Sequence, residues 1–252
     1  MTTGTLRCPC VLFALAREAM AFWKEVESRP VDAAPCRAWL CATRAGELLV
    51  LETGLGRRAM EAAVQWVLSD PRPAGQAYRP SLVLLAGFSG ALVDGLAPGD
   101  LVLASAVLGE GSETWPVTWP APTTAFHRGR LLTVDRLVAD PADKRQLGRL
   151  YGALAVDMES AAAARLCQLS SVPFGCLRAI SDRVDTRLSL GLVGLLHSGR
   201  PSAVAVAATC LRQPRIITEL CRLARDTRIA ARQLARGLGQ LLSETALPGS
   251  KA

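Results

Sequence analysis

The stretch ALAVDMESAAAARLCQLSSVPFGCLRAISDRVD, residues 153–185, reads as a strand, a helix and a second strand. Residues 153–156 are short and apolar, 161–169 are rich in helix formers, Pro173 breaks the helix, and 174–180 form another apolar run. Both strands end in acids: Asp157-Met158-Glu159 after the first, Ser181-Asp182 after the second. A right-handed crossover predicts both strands in one parallel sheet, with the acidic ends on the edge where open α/β sheets bind ligands. The expected fold class is α/β: a single domain at 8–212 with a central mixed, mostly parallel twisted sheet flanked by helices. A basic amphipathic helical extension at 213–245 is expected to pack on it.

The pair AVDMESAA and PFGCLRAISDRVD resembles the signature of the nucleoside phosphorylase and nucleosidase superfamily, which includes the methylthioadenosine/S-adenosylhomocysteine nucleosidases. The resemblance implies cleavage of an N-glycosidic bond. Such cleavage passes through an oxocarbenium-like sugar, and the departing purine needs a general acid at N7. Asp182, in the matched Ser-Asp motif, is the candidate acid; its alternative is an N-cap for a following helix. Glu159 would hold the ribose 2′- and 3′-hydroxyls and favour the developing positive charge, with Met158 packed on the sugar. The alternative is a first-turn glutamate beside a core methionine.

Upstream, 8–16 is an apolar run that reads as a first strand turning into a helix over 18–27, rather than as a signal peptide. Glu18 then stands beyond the strand's carboxyl end. In the resemblance it orients and deprotonates an attacking water; alone it could simply complement a helix dipole. Two strand-like runs at 36–43 and 47–52, joined by a turn at Ala45-Gly46, lead to Thr53-Gly54-Leu55-Gly56 and a helix at 57–68. Gly54 and Gly56 match the family's glycine turn, a water or phosphate site if their N–H groups face a ligand and otherwise a tight turn. Residues 81–103 read as a strand, a glycine-rich turn, then Pro98-Gly99-Asp100 and another strand. Gly87, Phe88 and Ser89 would line the sugar pocket, although Phe88 replaces the family's small or polar residue there.

Residues 106–127 lose periodicity around Trp115, Pro116, Trp119, Pro120 and Pro122. They read as a hairpin and loop whose tryptophans cover the sheet, or as an apolar wall for a greasy substituent. Strand pattern returns at 129–138 and helix at 141–150. Leu137 stands where the nucleosidases stack an aromatic on adenine, and Val138 where the backbone bonds the base. Beyond Asp185 helices are expected at 188–196 and 203–211. A long segment then places Leu220, Leu223, Leu234, Leu238 and Leu241 near one face and Arg222, Arg225, Arg228, Arg232 and Arg236 in a stripe. That stripe suits peripheral contact with an anionic membrane, or an ordinary surface helix. The tail resembles the C-terminal extension of the hopanoid-associated phosphorylases, a branch implicated in removing adenine from adenosylhopane, in hopanoid biosynthesis.

The formal charge of +7 is almost wholly arginine, since Lys24, Lys144 and Lys251 are the only lysines. It suits anionic partners or reflects genome composition, and the stripe lacks the aromatic interleaving of nucleic-acid binders, so none is expected. No run approaches the roughly 20 apolar residues of a membrane span, and the eight cysteines lack CxxC spacing. A cytoplasmic protein able to touch a membrane surface, with buried thiols and no cofactor or metal, is expected. His127 and His197, the only histidines, assemble no triad or metal cluster. The nucleophile stays open: Glu18 favours water, and Ala86-Gly87-Phe88-Ser89 lacks the arginine of the phosphorylase turn. Arg57, Arg58 or Arg178 could still supply a phosphate site. The leading expectation is release of adenine from a nucleoside with an apolar 5′ substituent. Methylthioadenosine/S-adenosylhomocysteine nucleosidase, purine nucleoside phosphorylase and a noncatalytic nucleoside-binding module are the alternatives, and a homo-oligomer is implied by resemblance.

Overall fold

The computed structural model describes residues 5–32, 34–43, 46–111, 113–118, 126–189 and 215–244. The elements run β1 (Leu6–Phe13), α1 (Ala16–Ala19), β2 (Glu27–Pro30), β3 (Arg37–Thr43), β4 (Gly46–Glu52), α2 (Arg57–Leu68), β5 (Tyr78–Ala91), β6 (Leu101–Gly109) and β7 (Thr114–Pro116). They continue with β8 (His127–Thr133), α3 (Pro141–Tyr151), β9 (Ala153–Asp157), α4 (Ser160–Leu169), β10 (Phe174–Asp182) and α5 (Arg215–Glu244). The strands form one mixed sheet in the order β10-β6-β8-β9-β5-β1-β4-β3-β2, with β7 paired to β6. Because β10 also pairs with β5, the first five strands of that order close on themselves. Mixed pairing with helices on both faces is the α/β architecture expected from the strand-helix-strand pattern.

Closure corrects the expected geometry of residues 153–185. β9 lies antiparallel to β5 while β10 lies parallel to it, so β9 and β10 are not two parallel strands of one open edge. Their acidic ends still meet, because Gly90 of β5 is in register with Val156 on one side and Asp182 on the other. The long strand β5 thus does what the crossover was expected to do.

β5 also overrides a predicted turn. Residues 87–90 remain strand, and the glycines at their ends answer crowding: a Cβ on Gly87 would lie 2.2 Å from Arg178 Nη1 and 2.8 Å from Glu18 Oε1. The predicted helix at 18–27 is likewise replaced. α1 ends at Ala19, a 3-10 turn spans Phe22–Lys24, and Glu27 opens β2. Aromatic packing outweighs helix propensity there: Phe22 sits 5.8 Å from Phe13, Trp23 sits 4.7 Å from Trp39, and Trp23 Nε1 donates to Glu52 Oε1 at 3.0 Å. Strand β8 stops at Thr133, leaving Leu137 and Val138 in a loop, and His127 opens that strand instead of lying in a loop.

Two apolar layers sandwich the sheet. Met60, Ala63, Val64 and Val67 of α2 and Ala162, Ala163 and Cys167 of α4 cover one face with Trp115, which therefore covers the sheet and walls no cleft. On the other face Ala230, Leu234, Ala235, Leu238, Leu241 and Leu242 of α5 meet Val11, Phe13, Leu84 and Leu177. Each leucine buried this way contributes roughly 1.5–3 kcal/mol. Arg222, Arg225, Arg228, Arg232 and Arg236 are exposed on the opposite side. No described helix is long and apolar enough to cross a membrane. The seven described cysteines are free thiols, with only Cys221 exposed. Trp119, Pro120, Pro122, Ala45, His197, Cys210, the rest of the helix expected at 188–196 and that at 203–211 lie outside the described residues; Leu188 and Ser189 are not helical.

Candidate active site

A cleft of about 320 Å³ opens where β1, β5, β9 and β10 end. It is lined by Glu18, Gly56, Phe88, Ser89, Leu137, Val138, Met158, Glu159 and Asp182, so nine of the residues singled out from the sequence converge on it. Its size fits a nucleoside-sized ligand.

Glu18 is buried and doubly tied. Its Oε2 accepts the Leu15 N–H at 2.8 Å, capping its own short helix, and its Oε1 accepts the Phe88 N–H at 2.8 Å. Capping and site geometry are thus met by one side chain. Burial pushes its carboxyl above the usual range, against the opposing pull of Arg178 and of the backbone donors.

Glu159 stands at the N-cap position of α4 but makes no cap bond there. Instead its Oε1 accepts the Gly56 N–H at 2.8 Å, across 103 positions of sequence. Gly56, at φ 86°, offers that N–H from a conformation that favours glycine. Gly54 does not line the cleft, and its N–H goes to Ala14 O at 3.1 Å. The glycine turn therefore positions a carboxylate, and does not present two free N–H groups to an anion. Gly87 does not line the cleft either; its bare Cα leaves room for the side chains of Glu18 and Arg178.

Burial, and then the charge of Asp157, push the Glu159 carboxyl up to about 7, against Arg178 and the Gly56 N–H. A carboxyl that holds its proton more tightly folded than unfolded stabilises the fold at low pH, and this stability is lost as pH rises through about 7. The urea midpoint of the ligand-free protein should fall between pH 5 and pH 8, with Glu159 contributing on the order of 2 kcal/mol. Glu159→Gln should flatten that dependence; an unchanged slope in the variant would contradict the assignment.

Asp157 and Lys144 carried no clear sequence signal as members of the site, and Arg178 was marked only as one of three arginines that could supply a phosphate site. Asp157 and Arg178 are both buried and form an ion pair; Asp157 accepts Thr133 Oγ1 at 2.7 Å and Ser160 Oγ, and Arg178 Nη2 donates to Ser160 Oγ at 2.9 Å. Arg178 Nε and Nη1 are buried without a protein partner among the described residues, as is Ser89 Oγ. Lys144 of α3 is fully buried, and its Nζ donates to Asp182 Oδ2, to Arg183 O at 2.9 Å and to Thr186 O at 3.1 Å. Asp182 closes β10 and caps no helix, since 183–186 form a turn. Its Oδ1 lies 2.8 Å from Ser181 Oγ. Arg57 is held outside by Asp135, at 3.1 and 2.8 Å. Among the described residues no cluster of His, Cys, Asp and Glu could hold a metal ion.

The pattern of the Phosphorylase superfamily matches residues 120–193. A 5′-methylthioadenosine/S-adenosylhomocysteine nucleosidase of Shewanella oneidensis is 26% identical over 176 residues, 58% of this chain and 72% of its own. In structure, the chain resembles the Helicobacter pylori enzyme of the same name bound to butyl-thio-DADMe-Immucillin-A, with a TM-score of 0.69 at 17% identity over 95% of this chain and 99% of that one. It is as similar to Helicobacter pylori futalosine hydrolase, with a TM-score of 0.69 at 17% identity over 94% and 98% of the two chains. With the same strand-helix-strand signature placed at the cleft, the chain resembles the phosphorylase superfamily in the residues matched and shares the fold of these nucleosidases.

Proposed function

We propose that the protein is a nucleosidase that hydrolyses the N-glycosidic bond of an adenine nucleoside. The observation that carries this reading is the convergence of Glu18, Glu159 and Asp182, from three separate parts of the chain, on one cleft. Asp182 donates a proton to N7 as the C1′–N9 bond breaks, and the bonding electrons leave with the purine. Glu159 holds the ribose hydroxyls and balances the positive sugar. Water attacks C1′ and gives its proton to Glu18, whose burial-raised proton affinity suits a base. The products are adenine and the free sugar, and proton exchange with solvent restores both carboxyl groups.

Water is favoured over phosphate by charge. Arg178 is the cation beside Glu18, it already pairs with Asp157, and it faces Glu159 as well. A phosphate dianion entering there would meet three carboxylates, whereas a water would satisfy the free N–H groups of Arg178. The nucleosidase names of the curated relatives point the same way.

For the 5′ group, Leu15, Leu55, Leu137, Leu188 and Leu223 give the cleft apolar walls, and the tail resembles the hopanoid-associated branch. We read the substituent as apolar and adenosylhopane-like, in hopanoid side-chain biosynthesis, with the arginine stripe of α5 in peripheral contact with anionic membrane and the chain in a homo-oligomer. The second reading, a methylthio or homocysteine group, is favoured by the names of the relatives. The test is adenine release from methylthioadenosine and from a long-chain 5′-alkyl adenosine, each with and without phosphate. Phosphate-independent release supports hydrolysis, and the preferred substrate separates the two 5′ readings. Strict phosphate dependence, or no release from either, overturns the proposal.

A further inference from the structure

A buried lysine is an unusual choice in this chain, where three of 29 basic residues are lysines. Lys144 is fully buried on the inner face of α3, beside Leu147 and Gly148. Its three N–H bonds go to three acceptors of one short segment: Asp182 Oδ2, Arg183 O and Thr186 O. An ammonium has three donors in tetrahedral array and no acceptor, so each is used. A planar guanidinium would not meet three converging oxygens in this way. The lysine thus ties the carboxyl at the end of β10 to the turn that follows it.

The hydroxyl beside Asp182 fixes the other oxygen. Ser181 Oγ lies 2.8 Å from Asp182 Oδ1 and 3.2 Å from Ser89 O, yet it has one proton to give. When that proton goes to Ser89 O, Oδ1 must be the donor to Ser181. Oδ2 is already held by Lys144. We propose that Lys144 is the positioning residue for Asp182, holding Oδ2 so that Oδ1 is the oxygen that carries the transferable proton. After transfer to N7, the Ser181 proton turns to Oδ1 and Lys144 balances the carboxylate left behind. This inference rests on the proposed reading of Asp182 as the acid.

The test compares leaving groups. Adenine needs protonation to depart, whereas a riboside with the same 5′ group and a 4-nitrophenolate leaving group does not. Lys144→Met should lower kcat for adenine release by about 100-fold, the size of a general-acid contribution. KM should change little, and nitrophenolate release should be slowed far less, which also reports that the variant is folded. In an Asp182→Asn background Lys144→Met should add no further loss, because both act through one proton transfer. Equal slowing of both substrates, or an added loss on top of Asp182→Asn, would overturn the inference. Lys144→Gln, which keeps a donor in the same place, provides the comparison if the methionine variant is unstable. Failure of both variants to fold would assign the lysine a purely structural role and equally overturn it. Absence of adenine release by the unmodified enzyme would instead refute the underlying reading of the site.

Discussion

Asp182→Asn is expected to lower adenine release by about 10²–10⁴-fold while leaving substrate binding nearly intact. The amide has the shape of the carboxyl, so Lys144 Nζ can still donate to the side-chain oxygen, and the Arg183 and Thr186 carbonyls keep their bonds. What the variant lacks is an acidic proton on the group facing N7. The loss should therefore fall on kcat and leave KM little changed, as for an interaction made only in the transition state. A KM-dominated loss would mean that Asp182 binds substrate and does not protonate it. A rate within threefold of the unmodified enzyme would remove it from the chemistry, and Ser181, which also lines the cleft, would be the next residue to vary. Cleavage of the nitrophenolate riboside gives the internal control, because that leaving group departs as an anion.

How much of this was legible in the sequence depends on whether a position answers to local or to distant neighbours. Helix α2 spans Arg57–Leu68, as its apolar periodicity predicts, because Met60, Ala63, Val64 and Val67 fall on one face and nothing else competes for it. Residues 18–27 were misleading because two aromatic contacts, made by Phe22 and Trp23 with strand residues on one face of the sheet, outweigh local helix preference. The Gly87–Gly90 segment looks like a turn by composition. It is a strand whose missing side chains admit Glu18, Arg178 and Asp182, and composition does not separate a turn from close approach. For the site, Glu18, Glu159 and Asp182 were readable through their motifs. Lys144 was not: it sits in Ala-Asp-Lys-Arg-Gln, which reads as the solvated face of a helix. Only its place three residues before Leu147, on the buried side, hinted otherwise. Asp157 was seen as a strand end, yet the ion pair that gives it a role forms with a residue 21 positions away that its own motif does not mention.

Arg178→Met should destabilise the fold by about 3–5 kcal/mol, the cost of removing one partner from a buried ion pair. Arg178 is fully buried, as is its partner Asp157, and Glu159 and Glu18 are the next charges it balances. Without the guanidinium, three buried carboxyl groups share one region and lose the buried cation that balances them. Arg178 lowers the proton affinity of both Glu18 and Glu159, so its loss raises both further. By linkage, carboxyl groups whose folded-state proton affinity is raised lose stability as pH climbs. The urea midpoint of the variant should accordingly fall more steeply between pH 5 and pH 8 than that of the unmodified protein. Adding Asp157→Asn should recover part of the stability, since Asn keeps an acceptor for Thr133 Oγ1 and for the Ser160 N–H while removing one uncompensated charge. Activity should not return with it, because Arg178 Nε and Nη1, without a protein partner among the described residues and beside Glu18, are what would hold the attacking water. Stability recovered together with activity would show that Arg178 serves the fold alone. A single variant within 1 kcal/mol of the unmodified protein, at every pH, would mean that the buried carboxyl groups already hold protons and that the guanidinium balances little charge.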